Sequence, residues 1–150
     1  MTESSRKLAG ILLIILPTVA YGGVTLLTML INHDSGYVDN PLRQDLWRAG
    51  HAHAGVLLIL SLVVLRYVDE TSLSENLKRF VRGGTPTTAI LIPAAFFLSV
   101  LDPESKEPNG LIYLAYAGFV LLAFTLVTLG IGLVRQKSKQ TGPFPRGNEP

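Results

Sequence analysis

Four long, largely uncharged apolar runs dominate the sequence and restrict what the chain can fold into. They cover about residues 8–31, 47–66, 84–101 and 110–134. A helix needs roughly 17 to 25 apolar residues to cross the hydrocarbon core of a bilayer, and each run reaches or approaches that length. Because the backbone must satisfy its own hydrogen bonds in lipid, the runs are expected to be helices. The sequence therefore predicts an all-α fold, an integral membrane four-helix bundle.

The basic residues are unevenly distributed among the segments that connect these runs. Ten of the 13 Lys and Arg residues lie before the first run, in the second loop or in the tail, and three lie in the first and third loops. Positive residues favour the cytoplasmic side, so both termini are expected in the cytoplasm, in a multi-pass protein of the cell membrane. The net charge of +2 follows this distribution and does not indicate nucleic acid binding.

The domain organisation follows from the same pattern. Residues 1–135 are expected to form one membrane domain, and residues 136–150, rich in proline, glycine and charge, a disordered cytoplasmic tail. In the second loop, Thr71 to Glu75 are expected to start a short amphipathic helix. Small residues at Gly22-Gly23, at Gly50 with Ala54, and at Gly130 with Gly132 offer surfaces for close helix approach. The absence of cysteine excludes disulfides and thiolate ligands.

Two of the three histidines, His51 and His53, open the second apolar run in the stretch RAGHAHAGVLLIL. Each helical residue rotates the chain by about 100°, so positions two apart point about 200° away from each other. The two side chains therefore cannot easily both ligate one ion from a regular helix. One is expected to face the interior of the bundle, and the other a neighbouring subunit, the outer loop or water.

These residues leave three interpretations open. Imidazole is a good axial ligand for haem iron and a common ligand for copper or zinc. A copper or zinc site would join the pair to His33 and to loop carboxylates, the candidates being Asp34, Asp39, Asp45, Asp102 and Glu104. In the third interpretation the histidines bond loop carbonyls or water at the headgroup boundary, and the chain is a non-catalytic accessory subunit of a membrane complex.

Two short motifs carry a resemblance to a known family: KLAG at residues 7–10 and LWRAGHAHAG at residues 46–55. With them the chain resembles, over roughly residues 6–135, the four-span styrene oxide isomerase family and, more distantly, hydroxylaminobenzene mutase. The resemblance implies a homotrimer that holds haem b in the membrane near protomer interfaces through a second-span histidine. Alignment on Trp47 selects His51 as the iron ligand, and alignment on the His-small-Gly triplet selects His53.

The resemblance also implies a reaction. In that family ferric haem acts as a Lewis acid on an epoxide oxygen, and ring opening with a hydride shift gives an aldehyde. We therefore expect, if the chain is an enzyme, a haem-dependent isomerase acting on a small apolar substrate from the bilayer. Arg48 is a candidate partner for a haem propionate. Tyr21 and Ser99 are candidates to line the chamber.

Two positions depart from the family pattern. The family has an asparagine six residues after its histidine, where this chain has Leu57 or Ile59, depending on the alignment. It also has a tyrosine in the third span, where this chain has Phe96 or Phe97. The resemblance therefore implies the fold and the haem more directly than it implies the isomerase reaction.

Overall fold

The computed structural model of the chain describes residues 1–136, which form helices and turns without strands. Helix α1 spans Glu3–Ile31, α2 is a single turn at Ser35–Val38, α3 spans Pro41–Val68, α4 spans Glu75–Leu98, and α5 spans Tyr113–Val134 after a 3-10 turn at Gly110–Ile112. The all-α prediction is confirmed for this part of the chain. The predicted disordered tail lies, apart from Gln136, outside the described residues.

Helices α3 and α4 begin earlier than the apolar runs indicate, because polar residues extend them. The Asn40 side-chain oxygen accepts the backbone N–H of Arg43 at 3.0 Å, and Pro41 occupies the first helical position. Helix α4 begins at Glu75 and continues without interruption to Leu98. The charged part of the second loop therefore forms the first turns of α4, where the sequence predicted a separate short helix.

Three helical segments are long and apolar enough to cross a membrane: α1, α3 and residues Gly110–Val134. They turn large apolar side chains outward, and Ile14 and Val134 are 79% and 87% exposed. Apolar surface of this extent is typical of helices that lie in lipid. Helix α4 differs, because its first half, ENLKRFVRGGTPTT, is charged and polar. The apolar helices indicate a membrane protein.

Helix α4 packs between α3 and α5, and α1 packs on α3. Two apolar clusters fill these contacts. The first joins α1, α3 and α4 through Leu12, Leu57, Leu58, Leu65, Ala89 and Ile92. The second joins α3, α4 and α5 through Val64, Val68, Val81 and Leu129. Both clusters include residues of α3 and α4, so the contact between these two helices is shared by the whole apolar core.

Glycines allow the closest helix approaches. A Cβ atom on Gly118 would lie 2.5 Å from the Ile92 side chain, and one on Gly84 would overlap the Thr125 hydroxyl. A Cβ atom on Gly132 would lie 2.7 Å from Leu73, as the sequence predicts for a close approach, whereas Gly130 has nothing within 4 Å. Helix α4 can therefore sit this close to α5 only because Gly84 and Gly118 lack side chains.

A polar cluster joins the N-terminus, the end of α3 and the first turns of α4. Asp69 accepts hydrogen bonds from the Thr2 backbone N–H at 2.6 Å and from Arg82 Nη2 at 2.8 Å, and Arg82 Nε donates to Ser5 Oγ at 3.1 Å. Burial raises the pKa of the Asp69 carboxyl, but hydrogen bonds from Arg82, Thr2 and Ser5 outweigh it and lower that pKa from 3.8 to about 2. The ionised carboxylate thus stabilises this end of the fold.

Asp69→Asn should lower the free energy of unfolding at pH 7 by about 2 kcal/mol, because the folded protein holds the carboxylate ionised. A lowered pKa contributes stability above the ordinary value of 3.8 and loses it as the pH falls through about 2. The difference between variant and wild type should therefore vanish near pH 2, as measured by thermal unfolding in detergent. Asp45→Asn is the control, since the Asp45 side chain is 80% exposed. A difference that persists at pH 2 would contradict this account.

Candidate functional site

The two histidines of α3 lie on opposite sides of the helix, as the rotation per residue predicts. His51 faces α1, where its ring lies beside Gly22 and Gly23. His53 faces α4 and α5, where its ring lies beside Phe96 and Phe119. Both rings are half-buried. Each histidine therefore has its own surroundings, and the two need separate consideration as ligands.

The His51 ring fills a notch in α1 that two glycines leave open. A Cβ atom on Gly23 would lie 3.0 Å from His51 Nε2, and one on Gly22 would lie 3.7 Å from Nδ1. The Cβ atom of an alanine at Gly23 would lie closer to the ring than an ordinary van der Waals contact allows. The ring and the α1 backbone are therefore closely packed. The expected close approach at Gly22-Gly23 is thus present, and it makes His51 part of the α1–α3 contact.

The His53 ring is oriented by its own helix. Its Nδ1 lies 2.7 Å from the backbone carbonyl oxygen of Ala49, one turn earlier. A carbonyl can only accept, so this contact places a proton on Nδ1, and in the neutral ring the lone pair is then on Nε2. The ring centroid lies 5.3 Å from that of Phe96 and 5.8 Å from that of Phe119. A hydrogen bond from Nδ1–H to a carbonyl is the arrangement that holds many metal-binding imidazoles in place.

The third histidine does not join the pair. His33 follows α1 in an exposed turn with a positive φ of 50°, and its N–H is bonded to the Leu30 carbonyl. Among residues 1–136, no group of three or more His, Cys, Asp or Glu side chains is placed to hold a metal ion. The loop carboxylates predicted as additional copper or zinc ligands therefore do not assemble with the histidines in this part of the chain.

The two arginines of α3 differ sharply in their surroundings. Arg48 is exposed and bonded to its own helix, with Nη2 2.6 Å from Gln44 Oε1 and Nη1 4.0 Å from Asp45. The Arg43 guanidinium carbon instead lies 4.2 Å from the centre of the Trp47 ring, and its Nε and Nη1 are buried with no partner among the described residues. Sequence reasoning selected Arg48 and missed Arg43, although the Arg-to-Trp spacing of four residues was a usable signal.

Trp47 connects the first loop, α3 and α4. Its Nε1 donates to the Phe97 carbonyl at 3.3 Å, and its ring stacks on that of Tyr37 at 6.0 Å. The first and third loops meet beside it, because Asn40 Nδ2 donates to the carbonyls of Pro103 and Ser105 at 2.8 and 2.9 Å. A cavity of about 680 Å³ lies between these loops. Trp47 therefore has partners in the protein on both sides, Tyr37 in α2 and Phe97 in α4.

The residues that depart from the family pattern leave the histidines in apolar surroundings. Leu57 is buried at 3% exposure, Ile59 is 54% exposed, and Phe96 lies against His53. Ser99 is buried and its hydroxyl donates to the Phe96 carbonyl at 3.3 Å, while Tyr21 is 73% exposed. Hydrocarbon therefore surrounds the His53 ring on the sides that face α4 and α5.

Comparison with known proteins gives no relative for this chain. No family model, no curated protein and no solved structure matches it.

The adjacent glycines Gly22 and Gly23 provide a matched test of the His51 contact. Gly22→Ala should leave the protein equally stable or stabilise it by up to about 1 kcal/mol, because alanine favours the helix. Gly23→Ala should be about 1 to 3 kcal/mol less stable than Gly22→Ala, because its Cβ crowds the His51 ring. Thermal unfolding in detergent measures both, and imidazole NMR signals should shift for His51 and not for His53. Equal stability of the two variants would place His51 away from α1.

Proposed function

We propose that this chain is an integral membrane b-type haem protein with His53 as the axial ligand of the iron. The observation that carries the proposal is the 2.7 Å contact of His53 Nδ1 with the Ala49 carbonyl. It leaves Nε2 as the only ring nitrogen with a free lone pair, and it fixes the ring before a ligand arrives. The motif resemblance supports the same cofactor, and the alignment on the His-small-Gly triplet selects the same residue.

His53 is preferred to His51 for a steric reason. The His51 ring occupies the notch at Gly22 and Gly23, so a bulky planar group at its Nε2 would have to displace α1. His53 is bordered by Phe96 and Phe119, and Phe119 is 42% exposed. Aromatic side chains pack well against a flat macrocycle such as haem. Because Phe119 is partly exposed, haem could reach His53 from the lipid. The geometry therefore favours His53 by both orientation and access.

The proposed topology has four spans with both termini in the cytoplasm. The second half of α4, residues 83–98, would be the fourth span, short but sheltered between α3 and α5. The bonds of Asp69 to Thr2 and Arg82 bring the N-terminus and the second loop to one end, and those of Asn40 bring the first and third loops to the other. The excess of basic residues at the first end supports its cytoplasmic placement.

The proposed reaction class is isomerisation of a small apolar epoxide to an aldehyde. Bound ferric haem would supply a Lewis acid for the epoxide oxygen. The isomerisation breaks one C–O bond and moves one hydrogen within the substrate, so it requires no net proton from the protein. The apolar side chains around His53 would exclude water, which would otherwise open the epoxide to a diol. Side chains such as Phe96 are compatible with that task, although the family has a tyrosine in this span.

A homotrimer forms part of this proposal through the resemblance, and outward apolar surface on α1 is compatible with it. The same surface favours a second candidate function, an accessory subunit of a larger membrane complex. Only 6% of the most apolar window of α1 is buried within the protomer. A helix so exposed can contact lipid, another copy or a different protein. Haem binding therefore has to be measured to distinguish a haem protein from an accessory subunit.

Histidine substitution is expected to identify the ligand directly. The wild-type protein, purified in detergent after expression with added haem, should show a Soret band with near-stoichiometric haem in a pyridine haemochrome assay. His53→Ala should lose most of that haem, because the iron loses its axial nitrogen. His51→Ala and His33→Ala are the matched controls and should keep it. Loss in His51→Ala alone would move the ligand to His51, and a colourless wild type would favour the accessory function.

The reaction class can be tested on the haem-loaded protein. Aryl-substituted terminal epoxides should be converted to aldehydes, and His53→Ala should reduce the rate by at least about a hundredfold because it lacks the iron. Product analysis by gas chromatography distinguishes the aldehyde from the diol. Free haem in the same detergent is the control for non-enzymatic ring opening. Equal rates for free haem and the loaded protein would remove the isomerase assignment and leave the haem protein.

A further inference from the structure

We propose that Arg43 and Tyr37 form a binding site for an oxyanion, a carboxylate or phosphate, beside the ring of Trp47. The two residues come from different elements, Arg43 from the first turn of α3 and Tyr37 from α2. Both lie against the same indole: Tyr37 stacks on it at 6.0 Å between centroids, and the Arg43 guanidinium carbon lies 4.2 Å from the ring centre.

Three buried polar atoms of this pair have no partner among the described residues: Arg43 Nε, Arg43 Nη1 and the Tyr37 hydroxyl. Tyr37 is 1% exposed, so its hydroxyl is closed off from solvent. Buried polar groups in native proteins are almost always hydrogen-bonded, and a charged donor without a partner is especially costly. The guanidinium is charged at every accessible pH, so it cannot lower that cost by losing a proton.

The neighbouring groups do not satisfy Arg43. The indole stabilises the cation through its ring face but provides no hydrogen-bond acceptor to Nε or Nη1. Within residues 1–136 no ion pair joins Arg43 to an acidic residue. The acid closest to it in sequence, Asp45, lies 4.0 Å from Arg48. The donors therefore match a ligand that carries negative oxygen atoms, because guanidinium and phenol both donate to carboxylates and phosphates.

Two sources can supply this oxyanion at the loop end of a membrane protein. One is the phosphate of an anionic lipid headgroup. The other is a propionate of the haem, and only this source rests on the proposed function. The Arg43 side chain contacts Trp47, which precedes the proposed iron ligand His53 by six residues, or about 9 Å along the helix axis. Both sources are thus compatible with the position of Arg43. Measuring the same variants with a lipid probe and with haem probes distinguishes them.

The experiment uses the full chain, stripped of lipid in neutral detergent, and two probes. Phosphatidylglycerol binding is measured by native mass spectrometry, and binding of haem b and of haem dimethyl ester by absorbance titration. Arg43→Gln and Tyr37→Phe remove the proposed donors. Arg48→Gln is the matched control, because it removes an exposed guanidinium of the same helix.

The proposal expects Arg43→Gln and Tyr37→Phe to weaken binding of one oxyanion probe by about tenfold, with Arg48→Gln unchanged. Weaker phosphatidylglycerol binding with unchanged haem b binding assigns the lipid. Weaker haem b binding with unchanged dimethyl ester binding assigns the propionate. If both variants bind both probes like the wild type, water occupies the site and the proposal is overturned.

A stability measurement distinguishes the loss of a ligand contact from a folding defect. Without ligand, Tyr37→Phe should unfold at the same temperature as the wild type or a higher one, because it removes an unpaired buried hydroxyl. Arg43→Lys keeps the charge and should recover part of the binding, which a folding defect would not allow. If the wild type takes up no haem, the proposed function fails, and the lipid probe alone decides the oxyanion site.

Discussion

The close approach of α4 to α3 and α5 is the constraint on which the other features depend. Gly84 and Gly118 remove the side chains that would separate α4 from α5, and Gly50 does the same between α3 and α4, where a Cβ would lie 3.0 Å from Phe97. In lipid, such contacts are stabilised by dispersion between well-fitted surfaces, because there is little hydrophobic driving force between helices. The Gly50 contact also brings Phe96 to the His53 ring and the Phe97 carbonyl to Trp47.

Hydrogen bonds at the two ends of the helices fix the alignment of the helices that pack together at these glycines. Asp69, Arg82 and Thr2 join three segments at one end, and Asn40 joins the first and third loops at the other. The middle of the helices has hydroxyl groups, and most of them bond to their own helix: Ser61 donates to the Leu57 carbonyl and Thr125 to that of Leu121. These hydroxyls are satisfied locally, so packing and not polar pairing determines how the helices meet there.

The same arrangement makes the two histidines chemically different. His51 is a packing residue of the α1–α3 contact, since its ring fills the space above Gly22 and Gly23. His53 has Nδ1 against the Ala49 carbonyl and has aromatic neighbours, and a carbonyl bond of this kind orients many metal-binding imidazoles. Arg43 and Tyr37, which both contact Trp47, have buried donors without an acceptor in residues 1–136. Both features lie in the loop half of α3, where the proposed iron ligand and the proposed oxyanion site are located.

The sequence by itself determined the all-α fold and the opposite orientation of the two histidines. It predicted four membrane spans, and three helices in the structure are long and apolar enough to be spans. Each follows from local rules: backbone hydrogen bonding in lipid, the length of an apolar run and the rotation per residue. Only the tertiary structure decided which glycines are contacts, so that Gly84 and Gly118 matter and Gly130 does not. It also decided that Arg43, and not Arg48, has buried donors without a partner among the described residues. The reason is physical: burial and partners depend on which side chains neighbouring helices bring within a few ångströms, and spacing along one chain does not contain that information.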